Sequence, residues 1–179
     1  MRKQIIHVAL LMATVGLTTQ CQSPQQQTSA TDETEEQAAG ATVHVAADTT
    51  LYAVLEPVGS TLSLQQDSLM ITFTVVNPTS DTLKFTTYHT PFEGMISKFL
   101  TVTDSAGQEV KYQGAMAKRV MPPPAETYRT VATGQREHTT FDLRKGYAIE
   151  QPGSYTLQYN GEQISGIANG EPVTITVGE

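Results

Sequence analysis

The chain has no tryptophan, and its single cysteine, Cys21, stands near the amino terminus. One cysteine cannot form a disulfide within the chain, so no covalent staple holds the fold. Basic residues are scarce: 11 Lys and Arg face 18 Asp and Glu, for a net charge of −7. With no basic stripe, nucleic acid is excluded as a partner, and the acidic balance serves solubility. Catalytic signatures are missing as well. There is no HExxH helix, no GxSxG elbow, no P-loop and no GxGxxG. The four histidines are His7, His44, His89 and His138. Only the last two fall in the domain delimited below, whereas a metal site needs three or four converging ligands. His89 and Glu93 sit four apart, but Pro91 between them argues against a helix there. Carboxylates are scattered singly, with no pair placed for acid–base work. The residues therefore describe a non-catalytic protein with no metal and no cofactor.

What is present begins with a leader. "MRK" gives a positive start, and "IIHVALLMATVGL" an apolar run. At about 13 residues that run is too short to span a bilayer. "TTQC" follows and brings in Cys21. A lone cysteine directly after such a run resembles a bacterial lipoprotein, in which the cysteine is lipidated and becomes the first residue. Gln20 departs from the small residue usual before that cysteine. The resemblance implies residues 1–20 as signal peptide, a lipid on Cys21 as the link to a membrane, and a place in the bacterial cell envelope. Without lipidation the chain would be secreted with a free thiol, or held by an uncleaved leader. Residues 21–47 are rich in Gln, Ser, Thr, Ala and Glu, with few large apolar side chains to offset chain entropy. They read as a flexible tether with a root-mean-square reach of roughly 28 Å. Its acidic run "DETEE" reads as a solvated segment or a sorting signal.

The texture changes at residue 48. Short runs of β-branched and aromatic residues alternate with Pro, Gly, Asn and Asp joints. "TLYAVLEP", "SLMITFTVVNP", "TLKFTT", "FLTVTD", "EVKYQG", "TYRTVA", "EHTTFDL", "GSYTLQYN" and "PVTITV" each read as a strand. "NPTSD" suggests a hairpin over 69–87, and "SAGQ" a second hairpin between "FLTVTD" and "EVKYQG". No convincing helix or repeat appears. The pattern predicts an all-β domain over 48–179, an antiparallel immunoglobulin-like β-sandwich of about seven to nine strands. Its expected core includes Leu69, Ile71, Phe73, Val75, Leu83, Phe85, Val102, Phe141, Leu143, Tyr155, Leu157 and Tyr159. Tyr155, just after "QPGS", reads as a corner tyrosine of such sandwiches. His138 is expected to face solvent on its strand.

One series of short motifs carries a further resemblance. "FTVVNPTSDTLKF", "YHTPFEG", "FLTVTDSAGQEVKYQGAMAKR", "TYRTVATGQ" and "PGSYTLQYNG" follow in order over residues 50–161. This order resembles the non-catalytic amino-terminal domain that precedes deuterolysin-type (aspzincin) metalloendopeptidases. Neither HExxH nor that family's GTxDxxYG follows, so the resemblance implies the accessory domain standing alone. "TDSAGQEV" and "QPGSY" also resemble turns of bacterial proteinase-inhibitor domains, although any such sandwich needs similar turns. In the peptidases such a domain assists folding and blocks the active site. The resemblance thus implies a module that binds another protein, with an exported metallopeptidase as the suggested partner for inhibition or chaperoning. The competing reading is a structural, envelope-assembly or adhesion domain with no peptidase link. The candidate contact residues are His89, Pro91, Phe92 and Glu93 in "YHTPFEGM", and Met116, Lys118, Arg119 and Met121 in "YQGAMAKRVMPPPAETY". Prolines stiffen both segments and reduce the freedom lost on binding. Methionines offer adaptable apolar contact. Lys118 and Arg119 would enter an acidic pocket; in the plainer reading they solvate a strand end, and the prolines guard an edge.

Overall fold

The computed structural model describes residues 50–179. The expected leader, Cys21 and the expected tether lie outside them. Nine strands follow in chain order: β1 (Tyr52–Pro57), β2 (Leu62–Ser63), β3 (Met70–Val76), β4 (Leu83–Thr86), β5 (Leu100–Asp104), β6 (Tyr128–Val131), β7 (Arg136–Asp142), β8 (Gly153–Tyr159) and β9 (Val173–Gly178). A single four-residue helical turn, Glu162–Ser165, lies between β8 and β9. The domain is all-β.

The strands form three sheets. One has the order β1-β3-β7, a second β2-β9-β8-β5, and a small third joins β4 to β6. The inward row of β3, Ile71, Phe73 and Val75, has no exposed surface. Leu51, Ala53 and Leu55 match it from β1 and the residue before it, and Leu100, Val102, Leu157 and Tyr159 come from the second sheet. Ring contacts join the two sheets. Phe73 of β3 meets Tyr159 of β8 with centroids 5.0 Å apart. Phe99, just before β5, meets Phe141 of β7 edge-on at 5.6 Å. Each such side chain, fully buried, stabilises the fold by about 1.5–3 kcal/mol. The expected core residues are all buried except Leu83, which packs half-buried against the cluster. The Tyr155 hydroxyl donates to the Gln151 carbonyl at 2.7 Å. His138 is exposed on β7.

Three expectations are corrected. The hairpin over 69–87 does not form, because β4 pairs with β6 and not with β3. Both edges of β3 are already occupied, by β1 and β7. The second hairpin keeps its turn but loses its return strand. Asp104 Oδ1 accepts from the amides of Ala106 and Gln108, and Gly107 takes the positive φ of 75° that closes the turn. Beyond a single bridge between Thr103 and Glu109, the chain leaves β5, and Tyr112 pairs with Tyr147 instead. The pairing is not wholly antiparallel either. The two-residue β2, absent from the sequence reading, runs parallel to β9, with Leu62 opposite Val177. The buried Leu62 side chain and the Leu64 amide bond to the Gly178 carbonyl at 3.0 Å hold it at that edge.

Candidate functional site

The two candidate segments meet at the end of β4. Thr86 ends that strand, and its hydroxyl lies 3.0 Å from that of Thr127. The Thr87 amide donates to the Thr127 carbonyl at 2.8 Å, which ties the incoming chain to the start of β6. Thr90 then caps a single 3-10 turn, Pro91–Glu93, by accepting the Phe92 amide. Pro91 sits where a helical turn tolerates proline, since its missing N–H would find no partner there. Pro91 therefore starts a three-residue turn, and no α-helix carries His89 and Glu93 on one face.

The turn points inward. Pro91 is buried. The Phe92 ring lies 5.3 Å from Phe85 and 6.1 Å edge-on from Phe73, and the Arg129 guanidinium covers it at 4.6 Å. Glu93 is a hub. Its Oε1 accepts the His89 amide at 3.1 Å and the Ser97 hydroxyl at 3.3 Å, and it pairs with Arg119. The pair is largely buried, with side-chain exposures of 14% for Arg119 and 10% for Glu93. The Arg119 guanidinium also stacks over Tyr88 at 4.8 Å, while its Nε is buried without a partner.

His89 is the one non-glycine residue at positive φ, 57°, among the described residues. Histidine is among the residues enriched there. Its amide bonds to Glu93, and its carbonyl accepts the Tyr159 hydroxyl at 3.2 Å. Gly161 passes so close that a β-carbon there would stand 2.2 Å from the Tyr159 hydroxyl and 2.6 Å from the His89 carbonyl. Burial lowers the His89 pKa below the ordinary 6.5; Glu93 works against this shift and Arg119 adds to it.

The second segment differs. Residues 114–124 cross the surface with no regular structure. Met116, Val120 and Met121 are 69%, 67% and 62% exposed, the largest exposures among the big apolar residues. Lys118 is exposed too, and no described carboxylate pairs with it. The loop is nevertheless held. The Ala117 amide donates to the Ile96 carbonyl at 2.9 Å. The Tyr112 hydroxyl reaches the carbonyls of Ala115, at 2.9 Å, and Met95, at 3.2 Å, and its ring packs edge-on against Tyr147. Arg119 ties the far side to Glu93.

The eight candidates thus divide. Pro91, Phe92, Glu93 and Arg119 build the platform, and His89 shapes its backbone. Met116, Lys118 and Met121 stand on the surface it supports. The two stretches contain Tyr88, Tyr112 and Val120 without singling them out, and Arg129 lies one residue beyond the second. Val120 had a signal in "KRVMPPP", an apolar residue between a basic pair and a proline run. The stacking of Arg119 on Tyr88 and of Arg129 on Phe92 had none, because it joins residues distant in sequence. Among the described residues, no three of His, Cys, Asp and Glu converge as a metal site. No model of a known protein family matches the chain, and no curated protein matches it.

Proposed function

We propose that the chain is an exported, non-catalytic protein-binding module, lipid-anchored through Cys21, whose contact surface is the loop 114–124. The single observation that carries this reading is the pairing of exposure with fixation. Met116, Val120 and Met121 lie open to solvent on a segment tied down by the Tyr112 hydroxyl, the Ala117 amide and the Glu93–Arg119 pair. Exposed apolar side chains on a loop already held in place favour docking, because little freedom remains to be lost. The two larger sheets, which share one core and end in the Tyr155 corner, are read as the leaves of an immunoglobulin-like sandwich. The partner is an exported peptidase, and the module inhibits or chaperones it. The support for that partner is the motif order over residues 50–161.

The test is capture from native envelope and medium with the full chain as bait, followed by assay of captured peptidase activity. The expected result is a captured peptidase whose activity falls on binding. Met116→Ser, Val120→Ser and Met121→Ser together should abolish both capture and inhibition. Capture unchanged by the triple variant, or capture of envelope proteins without a peptidase, would point to a tethered structural domain instead.

A further inference from the structure

We infer that Lys118 is the specificity residue of this loop, the side chain that enters a carboxylate-bearing pocket of the bound peptidase. The inference rests on the reading of the loop as a peptidase contact. It follows from how the structure treats the two neighbouring cations. Arg119 is spent inside the protein, paired with Glu93 and stacked on Tyr88. Lys118, one residue earlier, is exposed and unpaired by any described carboxylate. The dibasic pair therefore presents one positive charge and not two.

The surroundings narrow the partner. Met116, Ala117, Val120 and Met121, its close neighbours in the chain, are apolar and exposed. The complement of a long aliphatic stem with a cationic tip, on a loop whose other exposed side chains are apolar, is a narrow apolar pocket with a carboxylate at its base. Fixed points flank Lys118 on both sides: the Ala117 amide on the Ile96 carbonyl, and the Arg119 side chain on Glu93. The backbone between them has little freedom to lose when the side chain is taken up. An anionic membrane is a poorer complement. Segments that lie on membranes carry several cations and large apolar anchors such as Trp and Phe. This loop has one free cation and no aromatic residue from Gly114 to Pro124, on a chain of net charge −7.

The experiment titrates three peptidases with the full chain: trypsin, whose pocket holds a carboxylate, and chymotrypsin and thermolysin, whose pockets are apolar. Residual activity is read beside mass spectrometry of the chain. Trypsin should be inhibited stoichiometrically, and the other two should not. Lys118→Ala should weaken the inhibition roughly a hundredfold, the scale for removing one partner of a buried charge pair, and Lys118→Arg should preserve it. Because Lys118 is exposed, both variants should melt with the parent chain, which excludes misfolding as a cause. Uninhibited trypsin would overturn the inference. So would ordinary substrate behaviour, with water adding across the Lys118–Arg119 amide to leave a Lys118 carboxylate and an Arg119 amine while trypsin stays active. Sedimentation with phosphatidylglycerol vesicles that Lys118→Ala abolishes would overturn it in favour of a membrane. If Lys118→Ala still inhibits a captured native peptidase while the triple serine variant does not, Lys118 loses its role and the contact loop stands. If neither variant changes anything, both readings fail.

Discussion

Glu93 and Arg119 show how a pair of charged residues can be structural. Each looks like a surface group by type, yet together they are largely buried and carry the loop. Arg119→Met would leave the Glu93 carboxylate without its cation in a poorly solvated place. Breaking such a pair from one side costs about 3 kcal/mol. Glu93→Leu should cost at least as much, because it also strands the His89 amide and the Ser97 hydroxyl. The double variant should cost less than the sum, with a coupling of about 1–3 kcal/mol in a urea-denaturation cycle. Strict additivity would show that the pair contributes nothing jointly. His89 beside it gives a pH dependence with a definite sign. Its folded pKa lies below the unfolded 6.5, mainly through burial. As pH falls below 6.5, the unfolded chain takes up the proton first, so stability drops until pH passes the folded pKa and then levels. Above 6.5 this group adds no slope. His89→Asn tolerates the positive φ and should flatten that part of the curve of melting temperature against pH. An unchanged slope would assign it to other groups.

Among the elements, the alternating rows were legible and the pairing was not. Ile71, Phe73 and Val75 announce a buried face through their period of two. Nothing in "NPTSD" tells whether the next strand returns to β3 or leaves it. The decision lies with Asn77, a side chain with 1% exposure. Its amide nitrogen donates to the carbonyls of Asp81 and Val131, each at 2.8 Å, and Ala132, at 3.2 Å. Its oxygen accepts the amide and hydroxyl of Thr79. These bonds turn the chain away from β3 and toward the end of β6, where β4 finds its partner. The "SAGQ" turn was readable for the opposite reason. Asp104 and Gly107 act within five residues, and local chemistry of that kind is visible in sequence. Asn77→Ala would leave buried carbonyls unsatisfied and should cost about 2–3 kcal/mol. Asn77→Asp should cost as much, since a carboxylate has no N–H to donate. Chemical denaturation measures both. A neutral Asn77→Asp would show that the donated bonds do not hold the turn.

For the whole molecule, the candidate site was legible as two stretches of chain but not as one structure. "TPFEG" and "AMAKR" drew notice through prolines, methionines and a basic pair. That the first supports the second depends on a contact between residues 26 apart, which no local pattern encodes. This division of labour separates stability from contact, and the separation can be measured. The Tyr147 hydroxyl donates to the Leu100 carbonyl at 2.5 Å, with both residues buried. Tyr147→Phe strands that carbonyl at about 2 kcal/mol and should lower the melting temperature by roughly 5–10 °C. The serine triple at Met116, Val120 and Met121 removes large side chains that already face water. It should change stability by no more than about 1 kcal/mol and the melting temperature by no more than about 3 °C. In a contact domain, Tyr147→Phe keeps its partner below its melting temperature, and the serine triple loses its partner while folded. If the triple instead melts as early as Tyr147→Phe, the loop is packed against the domain, its apolar residues serve the fold, and the surface proposed for binding does not exist.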